Sequence, residues 1–214
     1  MVVSVLEALV SRLCHDLAGP AGAIRNGMEL IEDSVGANAD PEAMRLIADS
    51  ADRLARRLRL YRLAWGQAGS VESARLVDEV RVVAEDWLRG GKVALDWSAL
   101  AVPAGLGSRL GVAHLILCAI LIAEESLPRG GTVQVVGEGD GNHGVVEVLA
   151  RGAPARLTPD SAAVLAAAAI TDRTLAARPH AVHALALRHF ADSYRFSVPE
   201  VTEAEQQVRL RLTW

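Results

Sequence analysis

Residues 11–33 read SRLCHDLAGPAGAIRNGMELIED, and this stretch decides how the N-terminal part of the chain folds. Its apolar residues recur at intervals of three and four, the spacing that puts side chains on one face of an α-helix. The same pattern reaches back to Val2 and forward to about Val35, where the turn GANAD follows at residues 36–40. The sequence therefore predicts one long amphipathic helix that contains the whole stretch.

A second helix is predicted from Asp40 to about Trp65. Asp40 supplies a capping side chain, Pro41 fits the first helical position, and apolar residues then share one face as far as Tyr61. Two long antiparallel helices joined by a short loop form a hairpin, but a lone hairpin buries too little apolar surface to be stable. We therefore predict that residues 1–66 form a dimerisation domain, in which a homodimer builds a four-helix bundle.

Beyond the predicted linker GQAGS, at residues 66–70, the pattern changes to mixed helices and strands. A strongly apolar helix is predicted at 108–127, and a β-hairpin turns at residues 139–142. This order predicts an α/β sandwich on a mainly antiparallel sheet for residues 70–214, which makes the chain α+β. The other predicted elements are helices at 71–88, 161–169 and 181–191, and strands at 92–97, 132–138, 143–150, 194–198 and 206–213.

The composition argues against nucleic acid as a partner. Hydrophobic residues make up 51% of the 214 residues and aromatic residues 4%, and the formal net charge is -4, so the chain lacks a basic stripe for phosphates. Five arginines do cluster on the second helix, but their helical spacing around leucines predicts a solvated helix face. They are Arg53, Arg56, Arg57, Arg59 and Arg62.

The sequence also predicts no membrane segment and no metal site. The N-terminus lacks the basic start and cleavage site of a signal peptide, and the apolar run from Leu110 to Ala123 is too short to span a bilayer. Cys14 and Cys118 match no zinc spacing and are predicted to stay reduced. We therefore expect a cytoplasmic protein.

The remaining histidines are assigned no function. His114 lies on the apolar helix and is predicted to be a hydrogen-bonded core residue, while His143 in the hairpin turn is predicted to be solvated. His180, His183 and His189 share one helical region, where no nearby carboxylate or cysteine would complete a metal site.

His15 lies near the middle of the first predicted helix. Leu13 and Leu17 flank it and point to the core, so the imidazole is predicted to face the surface. One imidazole nitrogen can attack phosphorus and carry a phosphoryl group, provided that the ring is neutral and held in one tautomer. Asp16 is the carboxylate placed to hydrogen-bond that ring. The pair predicts a catalytic site with His15 as nucleophile and Asp16 as its partner.

The surface beside His15 is predicted to accept a partner protein. Gly19 and Gly22 keep this surface shallow, and Ala18 belongs to the same predicted partner-binding surface. Arg12 lies one helical turn before His15, where it could hold a phosphate or an acidic partner, or could equally form an ordinary surface ion pair.

His15 to Pro20, HDLAGP, resembles the H-box of histidine kinases, which has a histidine, an acidic residue and a proline five positions after the histidine. The longer stretch, with Gly22-Ala23-Ile24 and Asn26-Gly27-Met28-Glu29-Leu30, resembles the alphaproteobacterial (ChpT-like) histidine phosphotransferase family. LPRGGTVQV at residues 127–135 is similar to the signature of that family's second domain. The resemblance thus covers most of the chain.

The resemblance implies that the second domain is a degenerate form of the kinase ATPase domain. Cys118 and Ile122 stand where the kinases have asparagines, Ala150 stands where they have the adenine-reading aspartate, and no DxGxG or GxGLG string occurs in the chain. We therefore expect no ATP binding and no cofactor on this chain. The family implies a hybrid histidine kinase receiver domain as donor and response-regulator receiver domains as acceptors, with Mg²⁺ held by the receiver.

Two other interpretations remain open. The chain could be an ATP-dependent histidine kinase with a divergent nucleotide site, which the missing Asn, Asp and Gly residues oppose. It could also be a non-enzymatic scaffold that binds receivers without transferring phosphate, which would leave the His15–Asp16 pair without a purpose.

Overall fold

The computed structural model describes residues 5–33, 40–66, 73–97, 102–140, 142–169 and 181–214. The predicted turn at 36–39, the linker at 67–70 and His180 lie outside these residues. The described residues form six α-helices, one 3-10 helix (Ala104–Ser108) and a five-stranded sheet. The helices are α1 (Val5–Asp33), α2 (Pro41–Trp65), α3 (Ser73–Leu88), α4 (Val112–Glu125), α5 (Pro159–Ala166) and α6 (Val182–Ser193). The strands are β1 (Val93–Asp96), β2 (Gly131–Gly139), β3 (Gly144–Arg151), β4 (Glu200–Ala204) and β5 (Gln207–Thr213).

The helices α1 and α2 form the predicted hairpin. The Asp40 side chain accepts a hydrogen bond of 2.9 Å from the Glu42 amide, and Pro41 begins α2, so the predicted cap is confirmed. Gly27 lets the helices approach closely, because a Cβ on it would lie 2.6 Å from Cγ1 of Ile47. Asp16, earlier in α1, contacts Tyr61 late in α2, whereas Gly27, later in α1, lies beside the earlier Ile47, so the two helices are antiparallel.

The sheet has the strand order β1-β2-β3-β5-β4. The β1–β2 pair is parallel and the other pairs are antiparallel, as the mainly antiparallel prediction required. Asp140 closes the β2–β3 turn by accepting hydrogen bonds from the amides of Asn142 and His143, at 2.7 and 3.0 Å.

The strand predicted at 194–198 is wrong. Tyr194 and Arg195 form the turn that ends α6, and Arg195 has a positive φ of 57°. The strand is instead β4, whose sequence EVTEA is mostly exposed. An exposed edge strand carries no alternation of apolar and polar residues, which is the signal that predicts strands.

The helix α4 is the centre of the core. All its residues from Val112 to Ala123 are buried, and it packs against the sheet as well as against α2, α3 and α6. Leu60, Leu63 and Ala64 at the end of α2 belong to the same buried cluster, so the hairpin and the sandwich are packed against each other. Within the described residues, no helix is long and apolar enough to cross a membrane.

Candidate phosphoacceptor site

His15 projects from the middle of α1 into solvent, with 84% of its side chain exposed. Leu13 and Leu17 on either side are half-buried, as the helical pattern predicted. Nδ1 of His15 lies 3.1 Å from Oδ1 of Asp16. A carboxylate can only accept, so this contact selects the tautomer with the proton on Nδ1 and leaves the lone pair on Nε2. The nitrogen that faces solvent is therefore the nucleophilic one.

Asp16 is the buried centre of the site, with 8% of the residue exposed. Its Oδ2 accepts a hydrogen bond of 2.8 Å from Nε of Arg12 and another from the Tyr61 hydroxyl. Burial acts to raise the pKa of the Asp16 carboxyl, but the hydrogen bonds from Tyr61, His15 and Arg12 outweigh it and lower that pKa. Asp16 is thus ionised at neutral pH and can hold the His15 ring.

Pro20 explains a contact that fixes the backbone beside His15. In an α-helix the carbonyl of Asp16 would accept from the amide of residue 20, and proline has no amide hydrogen. The helix continues through Pro20, and Arg57 of α2 donates through Nη1 to the Asp16 carbonyl. The second helix therefore satisfies the acceptor that the proline leaves open, at the residue next to His15.

The prediction of a solvated arginine face is wrong for two members of the cluster. Arg57 is half-buried on Asp16, and Arg56 is half-buried with Nη1 3.2 Å from the Asp86 carbonyl of α3. Helical spacing identified the face, but it does not say which other element packs against that face.

Arg12 lies between two carboxylates. Nε is 2.8 Å from Asp16, Nη2 is 3.9 Å from Oε1 of Glu125, and 35% of the side chain is exposed. Arg12 therefore forms an ion pair, which is one of the two predicted alternatives. Its partners are Asp16 on the same helix and also Glu125 of α4, which is distant in the sequence. A contact of Arg12 with a partner protein stays a prediction.

Ala18, Gly19 and Gly22 share a helix face with His15. Ala18 and Gly19 are exposed and Gly22 is half-buried. A Cβ added at Gly19 or Gly22 would meet no atom within 4 Å, so both glycines leave open space beside the imidazole. This open space is consistent with the predicted partner-binding surface. The binding of a partner there stays a prediction.

The residues predicted to stand in place of the kinase nucleotide ligands lie in the core. Cys118, Ile122 and Ala150 are all fully or almost fully buried, on α4 and β3. Burial raises the pKa of the Cys118 thiol to about 12, so the thiol stays protonated. Among the described residues, no group of three or more His, Cys, Asp or Glu could hold a metal ion.

The other described histidines differ in their surroundings. His114 is buried with Nδ1 3.0 Å from the Ala64 carbonyl, which confirms the predicted core role. His143 is exposed in its turn, as predicted. His183 is buried with Nε2 3.4 Å from Oε1 of Glu125, which the sequence did not indicate.

Arg57 and Tyr61 are site residues that sequence reasoning missed. Two signals could have found them. A tyrosine on the buried face of α2 needs a partner for its hydroxyl. A proline inside α1 leaves one carbonyl that needs a donor from elsewhere.

Replacing Tyr61 by phenylalanine removes the hydroxyl and keeps the ring, which stacks on Trp65 at 4.2 Å. Asp16 then loses one donor, so we expect a destabilisation of about 1–2 kcal/mol and a phosphotransfer rate about tenfold lower. Urea unfolding and a transfer time course measure the two effects. Tyr194→Phe removes the only other tyrosine hydroxyl of the chain and is expected to leave the rate unchanged; equal rates for the two variants would contradict the role of Tyr61.

A solvent-facing imidazole held in one tautomer by a buried, ionised carboxylate has the geometry that a phosphoacceptor histidine needs. Residues 77–206 match the family described as "Histidine phosphotransferase C-terminal domain". The chain is 34% identical over 151 residues to the protein phosphotransferase ChpT of Brucella abortus (strain 2308), covering 71% of this chain and 69% of that protein. The structure resembles a solved bacterial phosphotransferase with a TM-score of 0.75 and 25% identity, over 99% of this chain and 97% of the other. The chain belongs to the ChpT-like histidine phosphotransferase family.

Proposed function

We propose that this protein is a cytoplasmic phosphorelay intermediate that carries a phosphoryl group on His15 and does not use ATP. The donor is the receiver domain of a hybrid histidine kinase, and the acceptors are response-regulator receiver domains. The observation that carries the proposal is the His15 ring itself, exposed at Nε2 and held at Nδ1 by Asp16 at 3.1 Å.

The transfer is a displacement at phosphorus. The lone pair on Nε2 of His15 forms a bond to the phosphorus of the receiver's aspartyl phosphate, and the breaking P–O bond returns its electrons to the receiver carboxylate. The proton on Nδ1 stays between the ring and Asp16, whose negative charge stabilises the positive charge that develops on the imidazole. The return step, from His15 to another receiver, is the same displacement in reverse. Mg²⁺ held by the receiver would neutralise the phosphoryl oxygens.

The residue types of the second domain support a relay without ATP. An ATP site of the kinase kind needs oxygen ligands for Mg²⁺ and an acceptor for the adenine amino group. Cys118, Ile122 and Ala150 offer neither, and they are packed into the core. We accordingly assign no cofactor and no metal to this chain.

Exposed apolar residues on the hairpin support the proposed homodimer. Leu6, Val10 and Met28 lie on one stripe of α1, on the side opposite His15, and Met44 and Leu58 are exposed on α2. A second copy packed on this stripe would bury them in a four-helix bundle and would leave both His15 rings accessible.

The double variant Val10→Glu/Leu58→Glu is expected to be monomeric, because it places a charge on each helix at the proposed interface. Sedimentation velocity at micromolar concentration measures the mass, and Leu110→Glu, at an exposed apolar residue outside the hairpin, is the matched control. A wild-type monomer, or a dimeric double variant, would contradict this interface.

The proposed function is tested by the source of the phosphoryl group. In one reaction, the protein is mixed with Mg²⁺ and a receiver domain that carries a labelled phosphoryl group. That receiver is labelled beforehand by its cognate kinase and then freed of ATP. In a parallel reaction, the protein is mixed with labelled ATP alone. We expect label from the receiver and none from ATP. Label from ATP alone would make the protein a kinase, and receiver binding without any label would make it a scaffold.

A further inference from the structure

The phosphoacceptor site is linked to the second domain through one side chain. Arg12 of α1 holds Asp16 with Nε and faces Glu125, the last residue of α4, with Nη2 at 3.9 Å. The N-terminal half of α1 also packs against the buried core cluster that contains α4, through Leu9 and Leu13. Burial raises the pKa of the Glu125 carboxyl to about 7, against Arg12, which lowers it. The residue that holds the His15 ring is thus two side-chain contacts away from the helix at the centre of the sandwich.

Glu125 also contacts a buried histidine of α6. Nε2 of His183 on α6 lies 3.4 Å from Oε1 of Glu125, and the His183 ring is 2% exposed and stacks on Trp65 with centroids 5.7 Å apart. Burial, and secondarily Arg12, lower the pKa of His183 to about 3, so the ring is neutral. Nδ1 of His183 has no hydrogen-bond partner among the described residues, so the tautomer with the proton on Nε2 is the one that offers Glu125 a donor.

We propose that Glu125, backed by His183, is a positioning residue that keeps Arg12 on Asp16 and thereby keeps His15 in its reactive tautomer. This inference rests on the proposed function of His15. The long arginine side chain has many rotamers, and Asp16 alone fixes only its Nε edge. A second carboxylate on the Nη2 side removes the rotamers in which the guanidinium swings out to solvent. The second domain then contributes to the phosphoacceptor site, whether or not it touches the receiver.

The first test observes the His15 ring and needs no receiver. In the wild type, the ¹⁵N chemical shifts of the neutral His15 imidazole are expected to show the tautomer with the proton on Nδ1. In Glu125→Ala, Arg12 is released and we expect a mixture of the two tautomers. Glu79→Ala is the matched control, because Glu79 makes an ion pair of the same 3.9 Å length, from α3 to Arg62 of α2. Wild-type shifts in folded Glu125→Ala would overturn the proposal.

The second test measures transfer from a labelled receiver domain. Glu125→Ala is expected to lower the rate at saturating receiver about tenfold, similar to the loss when a metal-bound histidine loses an outer partner, without changing the half-saturating concentration. Glu125→Gln keeps an oxygen for Arg12 and is expected to regain most of the rate. If Glu125→Ala does not fold, Glu125→Asp draws the carboxylate back by one methylene and is expected to slow transfer in the same way.

The outcomes separate this proposal from the function on which it rests. A wild type that takes no label at all contradicts the phosphotransfer function, while the tautomer measurement still decides the role of Glu125. If the wild type transfers normally and both Glu125→Ala and Glu125→Asp transfer at the wild-type rate, only the positioning role of Glu125 is overturned.

Discussion

Replacement of His15 by glutamine is expected to abolish phosphoryl transfer, lowering the rate by more than about a thousandfold, because a carboxamide offers no nucleophilic nitrogen. The fold is expected to survive. The His15 side chain is 84% exposed, and substitutions at such surface positions usually change stability by less than about 0.5 kcal/mol. Single-turnover transfer from a labelled receiver, with circular dichroism as the check on folding, measures both effects.

The control for that variant is His143→Gln, which changes another exposed histidine in the β2–β3 turn. It is expected to transfer at the wild-type rate. Label on folded His15→Gln would mean that another residue carries the phosphoryl group, and the assignment of His15 would be wrong.

Asp16→Asn is expected to slow transfer by about 10²–10⁴-fold, the range between the loss of one electrostatic stabiliser and the loss of the carboxylate that fixes the tautomer of a catalytic histidine. Asparagine has the same shape, but it lacks the charge that pairs with Arg12, and its NH₂ group would face a donor where the carboxylate accepts. The His15 ring would lose its preferred tautomer for the same reason. Asp52→Asn, which removes a carboxylate that pairs with Arg56 on α2, is the matched control and is expected to transfer normally.

The effect of Asp16→Asn on stability is expected to depend on pH. Because the pKa of Asp16 is lowered in the folded protein, its ionised form stabilises the fold above the unfolded value of about 3.9, and this contribution is lost as pH falls through the folded pKa. Asp16→Asn should therefore lower the free energy of unfolding at pH 7 and have less effect near pH 2. Urea unfolding at the two pH values measures this difference; an equal destabilisation at both would contradict the charged role of Asp16.

The sequence predicted the features that depend on neighbours along the chain. The helical periods of α1 and α2, the Asp40–Pro41 start, the exposure of His15 between Leu13 and Leu17, and the contact with Asp16 all arise within one or two helical turns. Such features are visible in a single stretch of residues because the geometry of the helix fixes which side chains meet.

The features that the sequence did not predict depend on contacts between distant segments. Arg57 and Tyr61 meet Asp16 across the hairpin, and Glu125 and His183 meet near Arg12 only once α4 and α6 have packed against α1. An arginine on a polar helix face has the same sequence signature whether it faces water or a carbonyl of another helix. The position of β4 was missed for a related reason, since an exposed edge strand carries no apolar pattern.

The role of His15 as a phosphoryl carrier is tested most directly by moving one phosphoryl group through the protein in the absence of ATP. The protein is labelled from a phosphorylated receiver, separated from it, and mixed with a second receiver domain and Mg²⁺. We expect an acid-labile phosphoramidate on Nε2 of His15 after the first step and its loss to the second receiver after the second step. A label that requires ATP, lies on another residue, or remains on the protein would contradict the relay.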